Sequence, residues 1–464
     1  MSYKSNREWT FAIEQLGNLE TGNISIKPLT LLCGPNNTGK TWVMYAIYGF
    51  LSNQEVDGLH GIDNIVSNLK ENGVYELNIE DWLKKNFKST MSSIDKYNVK
   101  ELPKTFSASE ELFTHTRFNW KADLDCILEC SQANSFEYGL SLGSKGKSAF
   151  SAQKDKGSQN ITMTLISDMP RELLKNTISS VIYNHLQGRN GHKPFLIPAE
   201  RNGLHLFYRE LSNRRTALLH HASRDELDLH SLLKDVLGSK YAMPIADYID
   251  WLNDLTSIKK GAKKGKYHNL AEEVKKLVGG RYHVDAEGNI TFTPKKKRNG
   301  PSAPKMDLHL SSSTVKSLFG LWFYLEYQAQ ENGVLMIDEP ELNLHPSNQR
   351  AVARLVAKLV NNGIHVIVST HSDYFLRELN SLIMLGGESG DKKARHNLLQ
   401  THKIDEESVL NKDLVGAYVF ESSSLQAMEI GDEGIIATTF DQEINELNDS
   451  SDDIYYSYVL SQGD

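Results

Sequence analysis

The sequence predicts an α/β fold, and three short apolar runs carry the prediction. They lie at residues 29–33, 334–337 and 364–368, and polar or glycine-rich residues follow each of them. Apolar runs of this length are typical of strands buried inside a sheet. Helical patterns begin after the first two runs, so strand–loop–helix units recur along the chain.

Composition narrows the class of protein. A chain of 464 residues with 39% apolar and 9% aromatic residues is folded and globular rather than disordered. The 51 basic and 59 acidic residues give a net charge of −8, which argues against a general nucleic-acid-binding surface. Two local basic runs, residues 259–266 and 295–298, are either contacts for an anionic partner or solvated loops.

Cysteine usage and hydropathy indicate the compartment. Cys33, Cys126 and Cys130 are too few and too unevenly spaced for a disulfide framework, which favours a reducing environment. The N-terminus carries no apolar signal core, and the apolar run at 42–51 is about half the ~20 residues that span a bilayer. We therefore expect a cytoplasmic protein without membrane contact.

A glycine-rich loop after the first strand predicts nucleotide binding. It fits the pattern G-x-x-x-x-G-K-[ST] with Gly34, Pro35, Asn36, Asn37, Thr38, Gly39, Lys40 and Thr41. Its glycines let backbone N–H groups surround a phosphate, and the helix expected from Lys40 adds partial positive charge. Lys40 can then reach the β- and γ-phosphates, and the Thr41 hydroxyl can bind Mg²⁺.

The second and third strands end in residues suited to hydrolysis. Asp338 would hold Mg²⁺ directly or through water, and Glu339 would polarise the attacking water. His371 ends the third strand about 30 residues later, with a helix expected over 348–361 between the two strands. Such a βαβ unit makes the two strands parallel neighbours and places His371 beside Glu339.

A serine-rich segment precedes another predicted helix. Ser311, Ser312 and Ser313 lie where that helix begins. They are either an anion site at the helix N-terminus or an ordinary helix cap.

Taken together, GPNNTGKT, LMIDEPELNLHP and VSTHSDYF resemble the ABC-type ATPases of the SMC, RecF and OLD group within the AAA family. The resemblance covers roughly residues 9–50 and 306–385. It implies a P-loop ATPase head, with a mixed sheet flanked by helices and a largely helical inserted region. It also implies ATP and Mg²⁺ as cofactors, and Ser311 to Ser313 covering the γ-phosphate held by a partner copy. Residues 341–346 stand where the family has its D-loop.

Two departures from the family pattern affect the expected rate. Residues 197–201, IPAER, occupy the region of the family's Q-loop glutamine, and the serine-rich segment lacks the signature glycines. We therefore expect slow ATP hydrolysis.

The resemblance also suggests how the chain is divided. Residues 1–50, 191–205 and 301–390 would form the ATPase head. Residues 51–190 would be an insertion of strands and helices, and residues 206–300 a mostly helical, lysine-rich insertion. Residues 391–464 would be a C-terminal extension with an acidic end.

Finer details are similar to ATPases of anti-phage defence. IPAERNGL and HSDYFLRELNSLIML look most like the ATPase subunit of the PARIS system, and next like that of Septu. This implies that the chain forms a homo-oligomer through its ATPase heads. A phage-encoded trigger protein is implied as a further partner. The resemblance also implies a separate effector nuclease, of TOPRIM type if PARIS-like and of HNH type if Septu-like. The alternative is a RecF/SMC-like DNA-repair ATPase, so nucleic-acid binding stays open.

Overall fold

The computed structural model describes residues 9–53, 56, 58–142, 147–188, 193–222, 241–262, 265–296, 304–387, 391–436, 446 and 448–459. Within these ranges the chain alternates strands and helices around one large mixed sheet. The predicted α/β class, with a mixed sheet flanked by helices, is confirmed.

Eighteen strands form four sheets in the described part of the chain. They are β1 (Trp9–Leu16), β2 (Leu19–Ile26), β3 (Leu29–Cys33), β4 (Val74–Asn78), β5 (Arg117–Trp120), β6 (Phe136–Leu142), β7 (Lys147–Lys154), β8 (Asn160–Leu165), β9 (Phe195–Ile197), β10 (Gly280–Val284), β11 (Ile290–Pro294), β12 (Met306–Asp307), β13 (Val334–Asp338), β14 (His365–Thr370), β15 (Val415–Glu421), β16 (Ser424–Ala427), β17 (Ile430–Gly431) and β18 (Gly434–Ile435).

Helices flank these sheets. They are α1 (Lys40–Ser52), α2 (Ile62–Asn72), α3 (Ile79–Phe106), α4 (Leu124–Ala133), α5 (Arg171–Gln187), α6 (Arg201–Ala222), α7 (Met243–Asn253), α8 (Leu255–Gly261), α9 (His268–Leu277), α10 (Ser313–Tyr327), α11 (Pro346–Asn361), α12 (Asp373–Gly386) and α13 (Lys392–Thr401). Helix α1 begins at Lys40, as predicted, and α11 begins two residues before the predicted start.

The largest sheet has nine strands in the order β5-β1-β2-β16-β15-β3-β14-β13-β9. Its last five strands, from β15 to β9, are parallel to one another. All residues of β3 and β13 are buried, which explains why both strands are apolar in the sequence apart from Thr30 and Asp338. The carboxyl ends of parallel strands meet at one edge, so residues that follow β3, β13, β14 and β9 converge there.

Apolar side chains cover both faces of this sheet. Leu31, Ile337 and Val368 pack on the face covered by α10, α11 and α12. Leu32 and Met336 point to the opposite face, where they meet α1 and α5. The alternation follows from the two-residue period of a strand, and it gives the head three layers.

The region between α1 and β9 contains more sheet than the sequence indicated. Strands β4, β8, β7 and β6 form a four-stranded antiparallel sheet, and β5 joins the edge of the nine-stranded sheet. Strands β6 and β7 pair as an antiparallel hairpin within that sheet. The tip of that hairpin lies outside the described residues.

The described residues between 206 and 296 are mostly helical. Helices α6 to α9 are followed by the β10–β11 hairpin. Two lysines of the basic run 259–266 have partners within the chain. Lys259 Nζ donates to the Val284 carbonyl (2.7 Å), and Lys266 forms an ion pair with Glu331 (2.8 Å). Residues 263, 264, 297 and 298 lie outside the described ranges.

Two further expectations concern thiols and membranes. The three cysteines are free thiols, and Cys33 and Cys130 are buried. Across the described ranges, the helices are too short or too polar to cross a bilayer.

Candidate active site

The glycine-rich loop connects β3 to α1 at the carboxyl edge of the sheet. Gly34 adopts a φ of 132°, and a Cβ built on it would lie 2.6 Å from the Phe420 carbonyl, so no larger residue fits there. No side chain caps the first turn of α1, which begins after Gly39. Its backbone N–H groups are therefore available for an anion.

Lys40 is the buried cation of this loop. It is 7% exposed, and its Nζ donates to the carbonyls of Gly34 (2.9 Å) and Pro35 (2.5 Å). Burial lowers the pKa of the Lys40 ammonium, while the carboxylates of Glu339 and Asp338 act in the opposite direction. A partly desolvated cation at the uncapped start of α1 is suited to a polyphosphate.

The other loop residues lie at the surface or support the turn. Pro35, Asn36 and Asn37 are exposed, and Asn18 Nδ2 donates to the Asn37 carbonyl (2.8 Å). Thr38 closes the loop by donating to the Pro35 carbonyl (2.8 Å).

Asp338 lies at the end of β13, directly beside the start of α1. Thr41 Oγ1 donates to Asp338 Oδ2 (3.4 Å), and Ser369 Oγ donates to Asp338 Oδ1. The carboxyl group is 3% exposed, and burial raises its pKa to about 6. A buried carboxylate with two neighbouring hydroxyls is an all-oxygen donor set, which suits a hard cation such as Mg²⁺.

Glu339 is held in an unusual backbone conformation. Its φ of 50° lies in the left-handed region that non-glycine residues rarely adopt. Its N–H donates to the Ser369 carbonyl (3.1 Å) and hydroxyl (3.2 Å), and its carbonyl accepts from Arg201 Nη2 (2.7 Å). These contacts fix the direction of a carboxylate that is one-quarter exposed.

His371 follows β14 and faces two carboxylates, as the βαβ unit predicted. Its Nδ1 lies 3.7 Å from Glu339 Oε1 and 3.6 Å from Glu341 Oε1. Glu341 is 6% exposed and accepts from the Thr370 hydroxyl and the His371 N–H, both at 2.9 Å. Glu341 therefore ties the end of β14 to the segment after β13.

Arg201 is a positioning residue that the sequence did not single out. Its guanidinium, 2% exposed, donates to the carbonyls of Asp338 (2.9 Å), Glu339 (2.7 Å) and Pro198 (3.1 Å), and to Ser317 Oγ (2.9 Å). It thus joins the end of β13 to helix α10. The available signal was the IPAER segment after β9, since β9 pairs with β13.

The serine-rich segment and the helix that follows it lie beside the residues after Glu339. Ser312 Oγ caps α10 by accepting from the Val315 N–H (3.3 Å), and Ser311 Oγ is buried without a hydrogen bond to the described residues. Further along α10, Ser317 Oγ donates to the Leu342 carbonyl (3.2 Å). Helix α10 therefore contacts the segment after Glu339, and Ser312 acts as a helix cap within its own chain.

Lys40, Thr41, Asp338, Glu339 and His371 therefore converge at one edge of the sheet, while Ser311, Ser312 and Ser313 stand beside that cluster. The arrangement combines an anion-binding loop, a cation-binding carboxylate and a second carboxylate directed by backbone contacts. These are the parts that phosphoryl transfer to water requires.

Comparisons with known proteins agree with this arrangement. A model of the AAA ATPase domain matches residues 10–376, which include the phosphate loop, both carboxylates and His371. No curated protein gives a significant match.

Solved structures of similar chain length include SMC head domains. That of Pyrococcus furiosus, with an extended coiled coil and bound to the C-terminal domain of ScpA, is 13% identical, with a TM-score of 0.34 over 95% of this chain and 98% of that chain. The SMC head domain of Thermotoga maritima is 10% identical, with a TM-score of 0.31 over 92% of this chain and 100% of that chain. The family match alone covers well over half of the sequence, and the protein therefore belongs to the AAA ATPase domain family.

Proposed function

We propose that this ATPase binds ATP with Mg²⁺ at the carboxyl edge of the sheet and hydrolyses it slowly, as the switch of an anti-phage defence assembly. The observation that carries the catalytic part is the convergence of Lys40, Thr41, Asp338, Glu339 and His371 there. The defence role rests on the motif resemblance described above.

Each residue has a role set by its position. The loop N–H groups and Lys40 bind the phosphates, and Thr41 and Asp338 hold Mg²⁺, which would neutralise charge on the phosphate oxygens. Glu339 accepts a proton from the water that attacks the γ-phosphorus, as the bond to the leaving ADP oxygen breaks. His371, beside Glu339, orients that water and contacts the γ-phosphate.

A second copy would complete the site. Leu310, 67% exposed, stands next to Ser311 at the start of α10, and Tyr374 is 53% exposed just after His371. Exposed apolar residues on both sides of a polar site support an interface at this edge. The γ-phosphate would then join the loop of one head to Ser311, Ser312 and Ser313 of the other, and its loss would reopen the pair.

The defence role is tested by co-purification. The chain is expressed with the product of its neighbouring gene, with and without ATP, and the native mass of the complex is measured. A stable homo-oligomer that retains a nuclease-like neighbour supports the defence role. A chain that ignores its neighbour but binds duplex DNA only with ATP, with a clear salt dependence, contradicts it and favours the DNA-repair alternative.

The raised pKa of Asp338 predicts how Mg²⁺ affinity depends on pH. Mg²⁺ binds the ionised carboxylate, and with a pKa of about 6 most of the carboxyl groups are protonated at pH 5. We expect the apparent affinity for Mg²⁺–nucleotide to fall roughly tenfold from pH 7 to pH 5 through this group. Isothermal titration calorimetry between pH 5 and pH 7 measures this affinity.

The Asp338→Asn variant is the control, because the phosphates of the nucleotide also titrate in this range. The pH dependence of the variant reports the nucleotide alone, and the excess in the wild type reports Asp338. If the apparent affinity for Mg²⁺–nucleotide fell equally with pH in the wild type and in the variant, the assignment of Asp338 to the metal would be wrong.

A further inference from the structure

A surface groove of about 760 Å³ lies between α3 and β5, at the edge of the nine-stranded sheet and outside the nucleotide site. Its apolar lining comes from both elements. The apolar residues that contribute are Phe87, Met91, Val99, Trp120 and Ala122. A groove of this size accommodates several large side chains of a docked segment.

The groove carries a surplus of positive charge. Lys88, Lys96 and Lys121 line it, and none of the three forms an ion pair with a described residue. Asp95, the acidic residue among the described lining, accepts from the Trp120 N–H at its Oδ1 (2.9 Å) and interacts electrostatically with Lys121. Three lysines against this one carboxylate leave a net positive charge around the apolar side chains, which favours an acidic partner with apolar anchors.

The C-terminal segment of the chain has this composition. Residues 441–464 contain seven acidic residues and no lysine or arginine. Every described residue from 448 to 457 is exposed, and Ile454, Tyr455 and Tyr456 are 59%, 51% and 64% exposed. Three consecutive large side chains exposed beside carboxylates mark an interaction surface.

We propose that the C-terminal segment of one copy docks into the α3–β5 groove of a second copy. Ile454, Tyr455 and Tyr456 pack on the apolar lining, and Asp452 and Asp453 approach the lysines. The second copy supplies the segment, because in the single chain the segment is exposed to solvent instead of lying in its own groove. This contact is separate from the nucleotide site and weakens as salt screens the charges.

Photo-cross-linking of the full chain tests the contact. A benzophenone amino acid replaces Tyr455 in an unlabelled chain, which is mixed without nucleotide with a ¹⁵N-labelled chain that lacks it. We expect cross-links from the C-terminal segment of the unlabelled chain to labelled peptides within residues 87–99 or 117–122. Cross-links confined to the unlabelled chain mean docking within one copy, and cross-links to other surfaces mean another partner site. Either result overturns the proposal.

Charge exchange tests the lysines and carboxylates directly. Lys88→Glu with Lys96→Glu in the labelled chain should lower the cross-link yield roughly tenfold. Adding Asp452→Lys with Asp453→Lys to the unlabelled chain should restore most of the cross-link yield. Lys84→Glu with Lys85→Glu, on the same helix but outside the groove, is the matched control and should leave the yield unchanged. An unchanged yield in the groove variant, or no restoration by the exchange, overturns the proposal.

Discussion

Replacing Glu339 by Gln is expected to lower ATP turnover by about 10²- to 10⁴-fold while ATP binding persists, because the side chain loses its proton-accepting charge but keeps its size. The backbone of residue 339 is fixed by Ser369 and Arg201 through main-chain atoms, which the substitution does not alter. Steady-state phosphate release and nucleotide titration measure the two quantities.

A glutamate outside the site provides the control for this variant. Glu331 is exposed and pairs with Lys266, so Glu331→Gln should leave turnover unchanged. If Glu339→Gln hydrolysed ATP at the wild-type rate, another group would have to accept the proton, and the role assigned to Glu339 would be wrong.

Replacing Arg201 by Met is expected to reduce the free energy of unfolding by about 3–5 kcal/mol. The buried guanidinium donates to three backbone carbonyls and one hydroxyl, and Met would leave those acceptors without a donor in a region closed to water. The left-handed conformation of Glu339 would also lose one of its restraints. Chemical denaturation followed by circular dichroism measures the change.

Arg209 on the same helix is the matched control. It is exposed and donates to the Tyr208 hydroxyl (3.1 Å) and the Glu287 carbonyl (2.9 Å). Arg209→Met should therefore cost about 1 kcal/mol or less. Equal effects of the two substitutions would mean that Arg201 does not hold the end of β13 as its contacts indicate.

Local sequence patterns predicted this edge of the sheet because its strands are almost entirely buried. The runs that became β3, β13 and β14 are mainly apolar, and the chemical groups lie at or soon after the ends of these strands. The position of His371 beside Glu339 followed from the short βαβ connection.

Features that depend on distant segments were missed. The contact of Arg201 with Asp338 joins residues 137 apart in the sequence, and it exists only because β9 pairs with β13. Ser311 to Ser313 were correctly placed at a helix start, where Ser312 caps α10.

The most direct test of the account is the native mass of the Glu339→Gln variant with Mg²⁺–ATP and with Mg²⁺–ADP. If two heads hold the γ-phosphate between them, ATP should increase the mass to that of a head-joined assembly, ADP should not, and Ser312→Arg should abolish the increase. A mass that is the same in both nucleotides, although ATP is bound, would contradict a site completed by a second copy.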